Sequence, residues 1–121
     1  MNDFGDQIRS PSDRQVLRDR LAAAHAEARL AAEHYLRVRR EVRATIGESH
    51  DLIVRARETR ERLRASIMSY VAELRRDQVS PERAIILVKH AVLESASLPD
   101  SEHRLVVEES VRWAVDAYYA A

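Results

Sequence analysis

Nine arginines fall within residues 37–64, at Arg37, Arg39, Arg40, Arg43, Arg55, Arg57, Arg60, Arg62 and Arg64. On a helix, such a run could line up as a stripe that neutralises phosphates. Five acids, Glu41, Glu48, Asp51, Glu58 and Glu61, interleave with it. The pattern therefore predicts a solvated helix face laced with ion pairs, and nucleic acid is not the expected partner. A recognition helix near the C-terminus is no better supported, because Glu102, Glu108, Glu109 and Asp116 would repel phosphates. The histidines, His25, His34, His50, His90 and His103, occur in no H-E-x-x-H or paired E-x-x-H spacing, so no metal or other cofactor is expected. His90 and Glu94, one helical turn apart, read as a polar surface pair. The chain has no cysteine, hence no disulfide framework and no thiolate chemistry. Without a Gly-rich phosphate loop or a recognisable nucleophile arrangement, neither an enzyme nor a small-molecule substrate is expected.

One short segment carries a resemblance. Glu48-Ser49-His50-Asp51-Leu52 resembles the start of the phosphoacceptor box of sensor histidine kinases, in which a histidine followed by an acid stands on a dimerising pair of helices. The match spans five residues; Ile53, Val54 and Arg55 then stand where the family has Arg, Thr and Pro. The resemblance implies a phosphoacceptor role for His50 with Asp51 as its proton partner. It makes a phosphotransfer or signalling bundle the alternative to the reading developed below, with a weak nucleic-acid-associated protein behind it.

Elements that would position these groups follow from periodicity. Leu17, Leu21, Ala24, Ala28, Ala31, Tyr35, Val38, Val42 and Thr45 recur in alternating steps of four and three, a 3.5-residue seam that predicts helix-on-helix packing. The same count continues through Ser49, Leu52, Ala56, Thr59, Leu63, Ser66 and Tyr70 before shifting to Ile67 and Leu74. Two architectures fit. One is a helix of roughly 60 residues, ~90 Å long, running through Gly47; the other is a helical hairpin turning at Gly47-Glu48-Ser49. The unbroken phase tilts the balance slightly towards a continuous or kinked helix, since an interior glycine costs only ~1 kcal/mol.

Asp77-Gln78-Val79-Ser80-Pro81-Glu82 marks a clear boundary: Ser80 can cap, Pro81 fits the first helical position and Glu82 complements the dipole. The helix that follows is apolar around most of its circumference, from Ala84 to Leu93, and is expected to be the most buried element. Asp100 or Ser101 should cap a last helix with Val107, Val111, Ala114 and Tyr118 inward, widened by Val106, Trp113 and Ala117.

The fold class read from these patterns is all-α: a disordered tail over 1–11, a coiled-coil-like region over 12–77 capped by Ser12 or Asp13, and a C-terminal helical hairpin over 80–120. Net charge is zero, with 20 basic and 20 acidic groups. Residues 1–78 nonetheless carry 16 bases against 13 acids, and residues 79–121 carry 4 against 7, a complementarity that favours docking of the two parts within or between chains. The acidic start of the chain is no signal peptide, and no run reaches the ~20 apolar residues of a membrane span, so the expected address is the cytoplasm with no membrane contact. The expected function is a non-enzymatic protein–protein interaction or oligomerisation module, such as a bacterial regulatory or scaffolding subunit, paired as a homodimer or with another helical protein. The alanines of the seam bury little surface each, so a second chain is expected to cover it. Tyr35, Val38, Val42, Leu63, Tyr70, Trp113, Tyr118 and Tyr119 are the residues assigned to that interaction.

Overall fold

The structure is a computed structural model that describes residues 10–45, 47 and 49–120. Of the expected tail over 1–11, residues 1–9 lie outside the described residues, and Pro11 already belongs to a helix. Four helices account for the fold: α1 (Pro11–Ala44), α2 (His50–Arg76), α3 (Pro81–Leu93) and α4 (Ser101–Tyr118). There is no strand among the described residues, and the all-α expectation holds.

The N-cap of α1 lies two residues before Ser12. Ser10 is the N-cap: its hydroxyl accepts from the Asp13 amide at 3.0 Å, and the Asp13 carboxylate accepts in return from the Ser10 amide at 3.3 Å. Pro11 occupies the first helical position, where its missing N–H leaves no bond unmade. Asp13 thus serves as the reciprocal partner in the cap. Ser80 caps α3 as expected and Asp100, one of the two expected candidates, caps α4, while Ser49 caps α2; each accepts from an amide three residues on.

The chain does not run through Gly47 as one helix. Thr45 adopts an extended conformation as the C-cap of α1, and Gly47 has φ +98°, a region that an L side chain enters only at a cost. Both helices turn apolar positions towards the same interior, Ala28, Ala32 and Leu36 from α1 and Leu63, Ile67 and Leu74 from α2. At the end of α2 a turn of the same hand occurs without glycine. Gln78 has φ 63°, with its amide on the Arg75 carbonyl and the Val79 amide on the Leu74 carbonyl, a Schellman closure.

Contacts along the helices define their directions. Arg20 meets Glu73 at 3.9 Å and Arg55 meets Glu41 at 3.7 Å, and His25 meets Tyr70 at 2.9 Å, so α1 and α2 run antiparallel. His103 meets the Val92 carbonyl and Tyr118 the Val79 carbonyl, so α3 and α4 run antiparallel as well. Arg60 meets Glu109 and Arg75 meets the Ala120 carbonyl, which sets α4 parallel to α2. Helix α1 neighbours α2 and α3, and α4 neighbours the same two, while the diagonal pairs touch least.

One core joins all four helices, with Ala28, Ala32, Leu36, Leu63, Ile67, Leu74, Val88, Val92, Val106 and Ala114 almost wholly enclosed. Helix α3 is less buried than its composition suggests: Ala84, Val88, Ala91 and Val92 face inward, whereas Ile86 and Leu93 are exposed. Thirteen residues of helix can press only one face on a bundle, whatever the other face contains.

The turn at Gly47 gives a test by sign. Gly47→Ala should lower stability by about 1–2 kcal/mol and the melting temperature by several degrees, because alanine resists positive φ; in a continuous helix the same change would stabilise by about 1 kcal/mol. Gln78→Gly should do the reverse of Gly47→Ala, raising stability by about 1 kcal/mol through relief of the positive φ. Thermal unfolding followed by circular dichroism reads both.

Candidate functional site

Of the eight residues assigned to an interface from the sequence, five are enclosed by the chain's own helices: Tyr35, Val38, Leu63, Tyr70 and Trp113. Val42 and Tyr118 are half-buried, and Tyr119, 66% exposed, is the single one that stands free. Contrary to the expectation of a second chain over the alanine seam, α2, α3 and α4 cover Ala28 and Ala31 from within. The alanines are too small to stabilise a two-helix pair, yet suffice where four helices share one interior.

The arginine run is dispersed in the same way. Arg39 and Arg43 both bond Glu102, Arg40 pairs with Asp100 at 3.0 Å and Arg60 with Glu109 at 2.7 Å. Arg55 pairs with Glu41 and Arg64 with Glu61, each at 3.7 Å. Arg37, Arg57 and Arg62 alone among the nine pair with no described residue; Arg37 lies on α1 and the other two on α2. Two of the acids read from sequence as repelling phosphates, Glu102 and Glu109, instead hold arginines of the first two helices. The opposite charge of the two parts of the chain was the sequence signal for this.

Glu102 is the focus. It stands in the first turn of α4, 5% exposed, where the helix dipole favours a negative charge. Its Oε1 accepts from Arg39 Nε at 2.5 Å and its Oε2 from Arg43 Nη1. Burial works against the charged form, but the bonds from Arg43 and Arg39 outweigh it and hold the carboxyl below its usual value of 4.5. Arg39 also donates from Nη1 to the Tyr35 hydroxyl at 3.0 Å and lies over the Tyr35 ring. Burial opposes its charge too, yet the bonds to Tyr35 and Glu102 raise its pKa. Asp100, the α4 cap, is lowered mainly by the amide of His103, with Arg40 adding to the effect.

A second polar chain crosses three elements. His25 of α1 bonds Glu94 after α3 at 2.6 Å through Nε2, and Tyr70 of α2 at 2.9 Å through Nδ1. A carboxylate can only accept, so Nε2 carries a proton, and Nδ1 is bonded to the Tyr70 hydroxyl. Burial, with the charge of Glu94 adding to it, pushes the Tyr70 hydroxyl up to about 12. It keeps its proton and is enclosed, so this chain ties helices together instead of activating a nucleophile. The expected His90–Glu94 pair is not formed, because Glu94 turns to His25.

His103, 1% exposed, has a structural bond: its Nε2–H donates to the Val92 carbonyl at 2.8 Å, while Nδ1 is enclosed without a partner. Ser110 is wholly buried with its hydroxyl unbonded. His50 stands exposed in the first turn of α2 beside exposed Asp51. No group of histidines and acids among the described residues has the spacing of a metal site. No helix among them is long and apolar enough to cross a membrane.

Around Tyr35, Arg39, Val42, Arg43, Ala56 and Glu102 the surface opens into a crevice of about 400 Å³. On the α3 and α4 side, Ile86, Leu93, Leu105 and Leu98 are exposed, Leu98 by 82%.

The clamp on Glu102 predicts a defined pH dependence. Its folded pKa is depressed, so its contribution is fully present above the unfolded value and is lost as pH falls below about 4.5. Glu102→Gln should destabilise the protein by about 1–3 kcal/mol at pH 7, with the difference from wild type closing as the pH drops through that window in urea unfolding. A difference independent of pH would mean that Glu102 acts through packing alone.

No protein-family model, curated protein or solved structure matches this chain.

Proposed function

We propose that the chain is a non-enzymatic helical module for protein–protein interaction or oligomerisation, a cytoplasmic regulatory or scaffolding subunit that pairs with a second copy or with another helical protein. In this reading residues 12–77 form a coiled-coil-like hairpin that meets along its heptad seam. Residues 80–120 form a second hairpin that turns an outer surface to the partner. The observation that carries it is the apolar surface left uncovered on that second part: Ile86, Leu93, Leu98 and Leu105, with Tyr119 at its end. Large aliphatic and aromatic side chains left in water favour a covering partner, and anchors of this type dominate interface energetics.

The assignment of contact residues changes accordingly. Tyr119 keeps its role and half-buried Tyr118 stands next to it, while Val42 lines the crevice between α1 and α2, and Tyr35, Val38, Leu63, Tyr70 and Trp113 serve the module's own core. Substituting Val38, 1% exposed, by Asp would therefore report on folding and not on association. Leu98 makes a cleaner probe, since it lies between α3 and α4 and contributes little to the core. Light scattering at tens of micromolar should give about twice the 13.9 kDa of one chain. Leu98→Asp should return the mass to that of one chain with helicity unchanged. A wild-type protein that remains at the mass of one chain would remove self-association from the reading.

A further inference from the structure

The crevice at the Gly47 end of the molecule has a chemical bias that the interaction surface does not share. Tyr35, Arg39, Val42 and Arg43 supply one wall from α1, Ala56 stands opposite on α2, and Glu102 closes it from α4. Both carboxylate oxygens of Glu102 are occupied, one by each arginine. Arg39 uses Nε for Glu102 and Nη1 for Tyr35, which leaves its Nη2 without a partner among the described residues. Arg43 uses Nη1, leaving Nε and Nη2, and the Tyr35 hydroxyl accepts one bond while its own proton has no described acceptor. The polar side of the crevice is thus a surplus of donors with two positive charges against one negative. Val42 and Ala56 make the other side apolar, with only a methyl group at the α2 position.

Such a lining is complementary to a particular kind of small molecule. Donors without acceptors call for an anionic acceptor, and guanidinium groups already fixed by a buried carboxylate lose little freedom when they bind one. The apolar wall calls for a short hydrocarbon body, and the volume falls within the range of small-ligand sites. We infer that the crevice between α1, α2 and the start of α4 binds a small amphipathic monocarboxylate, its carboxylate on the free N–H groups of Arg39 and Arg43 and its aliphatic chain against Val42 and Ala56. This site is independent of the partner surface on α3 and α4, and neither stands or falls with the other.

Titration of the ¹⁵N-labelled full chain with hexanoate tests it, with acetate, hexan-1-ol and hexylammonium as comparisons. Hexanoate should give saturable amide shifts centred on Tyr35, Val42, Arg43, Ala56 and Glu102, with a dissociation constant of about 0.1–1 mM. Acetate lacks the chain and hexan-1-ol the charge, so each should bind at least about tenfold more weakly, and hexylammonium should not bind. Arg43 is 65% exposed, so Arg43→Met should fold and weaken hexanoate about fivefold or more. Arg57→Met, at an unpaired arginine elsewhere on the surface, should leave binding unchanged. Ala56→Leu should fill the apolar end and abolish binding with helicity retained. The inference is overturned by an absence of saturation up to about 10 mM hexanoate, by equal loss in Arg43→Met and Arg57→Met, or by undiminished binding in folded Ala56→Leu.

Discussion

The smallness of α1's inner face governs the rest of the molecule. Ala28, Ala31 and Ala32 lie where the other helices press on it, and a methyl group lets a neighbouring backbone come close but removes little apolar surface from water. At about 25 cal/mol per Å² such positions stabilise a two-helix pair weakly. The larger side chains that make up the deficit are spread over the other helices, among them Leu63, Ile67 and Leu74 of α2, Val88 and Val92 of α3, and Val106 and Trp113 of α4. No pair of helices holds enough of them to form a core alone. The four helices therefore depend on one another, and the seam is covered within the chain.

Apolar contact is non-directional, so something else must fix how α3 and α4 sit on α1 and α2. The polar links do this. Glu102, Asp100 and Glu109 of the last part of the chain meet Arg39 with Arg43, Arg40, and Arg60. Glu94 meets His25, which in turn holds Tyr70. Each is specific in partner and angle, and a sliding of α4 by one turn would strand a buried carboxylate. The same clamp on Glu102 holds Arg39 and Arg43 in place at the crevice, so the groups that orient the fold also give that crevice its donor surplus.

Much of the local structure was legible in the sequence. The cap at Ser80 rests on a bond between residues three apart, so the residue types alone carried it, and the structure chooses Asp100 over Ser101 for α4. Pro81 marks a first helical position for the same reason, whereas Pro11, read as the end of a tail, already belongs to α1. The buried positions of α1 and α2 largely follow the 3.5-residue count, although it missed Ala32, Leu36 and Val71, which a four-helix interior encloses because it surrounds more of each helix than a two-helix seam does. The start of α1 was misplaced because Ser10, Ser12 and Asp13 are all competent caps. Only the reciprocal bond between Ser10 and Asp13 decides among them.

Helix type, the boundary at Ser80-Pro81 and most inward faces were thus set by the sequence itself, since they rest on interactions within a turn or two of chain. The break at Gly47 was undecided at that level: a glycine permits both a helical and a left-handed backbone, and continuity of phase favours neither once four helices share a core. Tertiary structure decided which aromatics are interior and which arginines are free. Arg39 and Glu102 lie 63 residues apart in the chain and 2.5 Å apart in the fold. Nothing in the residues near either one names the other, because a charge pairs with whichever opposite charge the packing of the apolar faces carries to it.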